Sequence, residues 1–251
     1  MNLLLDCGNT RLKWALTSEA DGASTHFVSR GIVNYDAPSL AAWAAQFSQR
    51  DIGQICFSSV ITAEQEAQVF AALLMLQKHP ERIGVTAVSG TLRNAYATPE
   101  TLGVDRWAAA IGAWGVVGQS CLVINAGTAT TIDMVESTGD GAALYRGGLI
   151  LPGLDLMMQS LHQRTARLPQ AEGRYCAAPE VADNTHDAIT SGALEATCGA
   201  IERMGARLSD AAPWLLTGGN ADRLSAVLGN RARVVEDLVL EGLASHLFLT
   251  R

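Results

Sequence analysis

Asp6, Gly8, Asn9, Thr10 and Lys13 all fall in one short stretch, LLLDCGNTRLKWAL (residues 3–16). Leu3, Leu4 and Leu5 read as a buried strand, and Asp6 ends the apolar run. A turn of Gly, Asn and Thr presents successive backbone N–H groups and small hydroxyls, which together suit an anion. Asp6 at its mouth can hold a hydrated magnesium ion against phosphate oxygens, and Lys13 adds a compact positive charge. Alone, the stretch serves equally well as a plain hairpin, with Lys13 a solvated strand residue. Yet Leu3–Ala15 aligns without gaps to LVINAGTATTIDM (Leu122–Met134), placing Asp6 opposite Asn125 and Gly8 opposite Gly127. A strand–polar turn–strand unit used twice points to a duplicated fold with both turns facing one cleft. It also favours nucleotide phosphate as the ligand of Asp6–Thr10 and of Gly127, Thr128, Thr130 and Thr131. GxxxxGK[ST] and GxGxxG are both absent, so neither turn is a Walker or Rossmann loop.

The elements that must carry these turns alternate. Strands are expected over Asn2–Leu5, Leu12–Leu16, Gln54–Val60, Val85–Val88, Cys121–Ile124, Thr131–Val135, Tyr145–Ile150, Trp214–Thr217 and Arg233–Val235. Helices are expected over Ser39–Arg50, Ala63–Lys78, Val104–Val117, Leu154–Thr165, Thr185–Leu208, Asn220–Leu228 and Leu238–Leu249. Such alternation predicts an α/β protein with mixed sheets flanked by helices. The 251 residues accommodate two domains, 1–117 and 118–251, joined around Gly115–Ser120.

Composition narrows the function. A hydrophobic fraction of 48% with 17% charged residues suits a globular core. The formal charge of −7 argues against broad nucleic-acid binding, which needs a basic face. Five scattered cysteines without a CxxC pair predict reduced thiols and a cytoplasmic setting. The uncharged stretch Trp107–Ile124 is interrupted by Gly112, Gly115 and Gly118, so a buried helix, turn and strand explain it better than a membrane span.

The first turn, DCGNTRLKW, resembles the first phosphate motif of the acetate kinase, sugar kinase, Hsp70 and actin superfamily. Within that superfamily GVDRW (Gly103–Trp107), NAGTATTID (Asn125–Asp133), GGLILPG (Gly147–Gly153) and TGGNA (Thr217–Ala221) resemble the type III pantothenate kinases, in family order and over nearly the whole chain. The resemblance implies a duplicated ribonuclease-H-like (actin-like ATPase) fold and ATP-dependent phosphorylation of pantothenate, the first step toward coenzyme A. It implies Asp105 as the general base, with Gly103, Val104, Arg106, Tyr96 and Thr185 at the pantothenate site. It assigns Asp6, Gly8, Asn9, Thr10, Lys13, Gly127, Thr128, Gly218 and Gly219 to ATP, with Mg2+ at Asp6 through water. A homodimer with its active site near the interface is also implied.

Plainer readings stand beside these. Asp105 could be an acidic residue favoured at a helix start, Tyr96 a core residue, Thr185 an N-cap and Gly218–Gly219 an ordinary turn. The family's second phosphate motif starts with Asp, which helps hold K+ or NH4+; here Asn125 stands there, keeping a carbonyl oxygen but no charge. Two other functions compete: a kinase for another small hydroxyl or carboxylate substrate, and a non-catalytic regulatory or transcription accessory protein of the same fold. GVDR and GGLILPG weigh against the first, and retention of Asp6, Asp105 and Thr128 against the second.

Overall fold

The computed structural model describes residues 1–18, 27–165, 167–170 and 172–249. The chain divides into two compact units. One comprises Met1–Gly118, Ser137–Tyr145 and Asp237–Arg251, the other Gln119–Glu136 and Arg146–Glu236.

The first unit is built on a five-stranded sheet in the order β3-β2-β1-β4-β5. Its strands are β1 (Asn2–Cys7), β2 (Leu12–Thr17), β3 (Phe27–Val33), β4 (Gln54–Ser59) and β5 (Pro80–Arg82). β1 runs antiparallel to β2 and parallel to β4. Leu3, Leu4 and Leu5 are all fully buried, so both faces of β1 are covered, as their unbroken apolar run requires. Helices α1 (Ala37–Ala45) and α2 (Ala63–Leu73) follow β3 and β4. Asp36 caps α1 by accepting from the Ser39 N–H, and Thr62 with Gln65 forms a capping box on α2. The core on the α1 side is aromatic, with Trp14 and Trp43 edge-on to Phe47 at 5.3 and 5.4 Å between ring centres.

A short hairpin, β6 (Val88–Ser89) and β7 (Leu92–Asn94), and helix α3 (Val104–Val117) complete the first half of the sequence. Gly118 ends α3 in the left-handed conformation, at φ +59.

The second unit carries strands β8 (Cys121–Ala126), β9 (Ala129–Ser137) and β10 (Ala143–Pro152). These are followed by α4 (Leu154–Arg164), α5 (Thr185–Gly205), β11 (Trp214–Thr217), α6 (Ala221–Leu228) and β12 (Ala232–Val234). The strand order β12-β11-β8-β9-β10 repeats β5-β4-β1-β2-β3 element for element. The directions repeat too: β8 is antiparallel to β9 and parallel to β11. β10 begins in the first unit, where Ala143–Tyr145 pair with Leu92–Asn94.

The last helix, α7 (Leu238–Leu249), belongs to the first unit and packs on α3. The fit is glycine-dependent. A Cβ on Gly112 would stand 2.2 Å from the Leu238 carbonyl oxygen, and one on Gly242 1.9 Å from that of Ala108. Backbone therefore rests on backbone, and the register of α7 along α3 is fixed.

The fold departs from the sequence reading at edges. Phe27–Val33 is a strand that was not expected; Gly31 within it lies under the Trp14 ring, where a Cβ would approach Nε1 to 3.0 Å. Val85–Val88 is not a strand: pairing occurs earlier, at Pro80–Arg82, and resumes only at Val88–Ser89. Helix ends also move. Behind its Asp36 cap α1 starts at Ala37, two residues before Ser39, and α2 tightens into a 3-10 turn at Leu74–Leu76 instead of continuing to Lys78.

Candidate active site

The β1–β2 turn sits where the central strand ends. Pairing closes at Cys7 and Leu12, leaving residues 8–11 to turn the chain. The Tyr35 hydroxyl donates to the Gly8 carbonyl at 2.7 Å, and Asn9 and Thr10 are exposed at the tip. Behind it, strand register sets a polar row on one face: Lys13 on β2 opposite Asp6 on β1, and Ser58 on β4 on its other side. The fully buried Ser58 hydroxyl donates to Asp6 Oδ1 at 3.2 Å. Burial raises the Asp6 pKa from 3.8 to about 6, against the lowering effect of Lys13 and with Asp105 and Asp237 pushing the same way as burial. Asp105 is thus within electrostatic reach of Asp6.

Asp105 occupies the first turn of α3. Its Oδ1 accepts the Arg106 N–H at 2.9 Å, and Gly103 is what makes room for it, since a Cβ there would stand 2.7 Å from that oxygen. Arg106 is buried; its Nη1 donates to the Tyr96 hydroxyl at 3.2 Å and its guanidinium lies 5.8 Å from the Tyr96 ring centre. Tyr96 packs beside Tyr145, which is edge-on to Trp107. Tyr96, Asp105 and Arg106, three positions taken from the sequence, form one constellation.

In the second unit, pairing of β8 and β9 closes at Ala126 and Thr130, leaving only residues 127–129 to turn. This turn is one residue shorter than the first. The ungapped alignment is therefore valid only up to the turn: Asn125 stands opposite Thr131, so the counterpart of Lys13 is Thr131 and not Ile132. The counterpart of Ser58 is Thr217 on β11, a buried residue whose Oγ1 has no hydrogen-bond partner among the described residues. Backbone clamps the turn on two sides. The Gly153 N–H donates to the Thr128 carbonyl at 2.9 Å, and the Asn220 N–H to that of Ala126 at 3.0 Å. Gly218, at φ +99, would place a Cβ 2.6 Å from the Ala126 oxygen and 2.7 Å from Asn125 Oδ1. Only glycine meets both demands. Space around Gly219 is open.

Thr185 is the first residue of α5 and is exposed. The N-cap is Asn184, which accepts the Asp187 N–H at 3.0 Å, so a capping role for Thr185 is set aside. Residues 173–176 are strapped along α5: the N–H groups of Gly173, Arg174 and Cys176 donate to Thr190, Asp187 and Ser191. Asn184 and Thr185 share the lining of a cavity of about 980 Å3 with Leu156, Met157, Leu161 and Ile189 of α4 and α5.

Comparison with known proteins shows the family to which the chain belongs. The family model described as type III pantothenate kinase matches residues 2–207. A type III pantothenate kinase of Aromatoleum aromaticum is 42% identical over 252 residues, covering 97% of this chain and 96% of the relative. The chain belongs to the type III pantothenate kinase family. It is accordingly a phosphotransferase, and membership implies pantothenate phosphorylation for coenzyme A synthesis, with ATP and a divalent metal. Two solved structures share the fold. A Baf family transcriptional activator from Campylobacter jejuni aligns with TM-score 0.62 at 21% identity, over 98% of this chain and 97% of that one. A 2-dehydro-3-deoxygalactonokinase protein from Sinorhizobium meliloti aligns with TM-score 0.57 at 14% identity, over 99% and 97%. The fold is thus that of the actin-like sugar kinases and ATPases, as the duplicated sheet indicates.

Divalent metal fits the first turn. Among the described residues no group of three His, Cys, Asp or Glu side chains can hold a metal alone. Mg2+ does not require one, because it keeps waters and takes one or two carboxylates plus substrate phosphates. Asp6 offers a hard oxygen donor whose Oδ1 is already oriented by Ser58. Ser58 and Asp237 lie outside the family motifs, and Thr217 opens TGGNA without a role assigned to it. Only strand pairing places Ser58 and Thr217 in the rows of Asp6 and Asn125, and Asp237 enters from the far end of the sequence.

Proposed function

We propose that the chain transfers the γ-phosphoryl group of ATP to the primary hydroxyl of pantothenate, with Asp105 as the general base. Asp105 takes the hydroxyl proton as the oxygen bonds to phosphorus; the bond from phosphorus to the ADP oxygen breaks, and ADP leaves with the charge. Such a reaction asks the protein mainly for positioning and neutralisation. The observation that carries this reading is the constellation around Asp105: a carboxylate for which Gly103 leaves room, next to a buried guanidinium tied to Tyr96. Arg106 and Tyr96, with Gly103, Val104 and Thr185, are assigned to pantothenate. Asp6, Gly8, Asn9, Thr10 and Lys13, with Gly127, Thr128, Gly218 and Gly219, are assigned to ATP, and Asp6 to Mg2+ through water. A ribonuclease-H-like half is assigned to each copy of the repeated sheet, with α7 counted with the first half and not with 118–251, and the cytoplasm is the assigned compartment, supported by five free, buried cysteines. Among the described residues no helix is long and apolar enough to cross a membrane.

A coupled assay of ADP release tests the function. Release should depend on pantothenate and not on sugars or acetate; release with those acceptors instead, or none with pantothenate, would overturn it. We assign no strong monovalent-cation site to Asn125, because a neutral amide oxygen facing Gly218 offers far less than a carboxylate. Replacing K+ with a bulky organic cation should change the rate by less than about threefold, within about 1 kcal/mol; steep K+ dependence would contradict the assignment.

A further inference from the structure

Lys13 faces Asp6 across the β1–β2 pair, and a flexible ammonium so placed would ordinarily close onto that carboxylate. Its ion pair is instead with Asp237, Nζ to Oδ1 at 3.6 Å. Asp237 also takes Arg30 Nη1 of β3 at 3.4 Å, so one carboxylate gathers cations from two neighbouring strands of the same sheet. Both partners of the lysine pair are partly shielded, with side chains 27% and 19% exposed.

Asp237 is itself firmly placed. It adopts φ +59, a conformation that Asp and Asn tolerate better than other side chains. Its carbonyl accepts the Glu241 N–H at 3.0 Å, closing the first turn of α7. The Gly112–Gly242 contact then fixes α7 along α3, the helix whose first turn carries Asp105. One helix pair thus presents Asp105 and Asp237 together, both within electrostatic reach of Asp6.

We propose that Asp237 is a positioning residue for Lys13: it draws the ammonium off Asp6, leaving that carboxylate open to the metal and the lysine extended for phosphate. The inference rests on the assignment of ATP phosphate to the first turn. Asp237→Asn removes the charge while keeping a residue that accepts the left-handed backbone. The KM for MgATP should rise about tenfold, mid-range for coupled neighbours, with kcat within about twofold because Asp237 touches no reacting atom. In a Lys13→Met background the same change should add less than about twofold. An unchanged KM, a fall in kcat alone, or an equal KM effect without Lys13 would each overturn the proposal. Calorimetric titration of the protein with MgATP reads the same affinity change with no acceptor present. A failure of the pantothenate assignment would therefore leave this test standing.

Discussion

Asp6 shows how a site residue works against the fold that holds it. Its carboxyl is raised to about 6 by burial, so between about pH 4 and 6 the native chain keeps a proton that the unfolded chain has released. Ligand-free stability therefore falls as pH rises through that window. Asp6→Asn should stabilise the protein by about 1–3 kcal/mol at pH 7.5 and by nothing near pH 3.5, read from urea unfolding at the two pH values. A gain of equal size at both would show that charge is not the cause. Asp105→Asn acts on chemistry instead. It should lower kcat by about 10²–10⁴-fold, the usual worth of a general base, while MgATP still binds. A near-normal rate would remove Asp105 from that role. Asp6, Asp105 and Arg106 were legible as residues because the motifs GVDR and DCGNT hold their chemistry locally. Ser58 was not, since nothing in QICFSS distinguishes a core serine from one paired in register with a carboxylate.

At the scale of elements, the central strands and long helices were legible because unbroken apolar runs and 3.6-residue periods mark them. Edges were not. β3 alternates weakly around Gly31, and its hold on the sheet depends on Trp14 of a neighbouring strand. The repeat was legible in its order but not in its register. A one-residue difference in turn length shifts everything after it, a fact that only strand pairing reveals. The α3–α7 contact is the element-scale counterpart of the site. Gly242→Ala pushes a methyl group into the Ala108 carbonyl and should cost about 1–3 kcal/mol or more, seen as a fall in Tm of several degrees. A Tm within a degree of wild type would show that the helices separate freely.

At the scale of the molecule, the second unit exposes Leu149, Ile150, Leu156 and Leu161 near the end of β10 and along α4, at 40–64%. Exposed apolar side chains of this kind suit burial by another chain, and a homodimer is the outcome expected of the following test. Light scattering after gel filtration should give about twice 26.5 kDa, and Leu161→Arg should shift it toward the single chain. A wild-type monomer at micromolar concentration would refute that.

The return of α7 to the first unit bears on how the protein is made. During synthesis β1 and Asp6 emerge early, but the helix that covers them is translated only after the entire second unit. The nascent first unit must wait, its α3 glycine face uncovered, while the second can close around its own core. Ribosome stalling or proteolysis before residue 237 would thus yield a chain with the ATP and pantothenate motifs but without Asp237 or a finished first unit. Such a fragment is expected to be inactive.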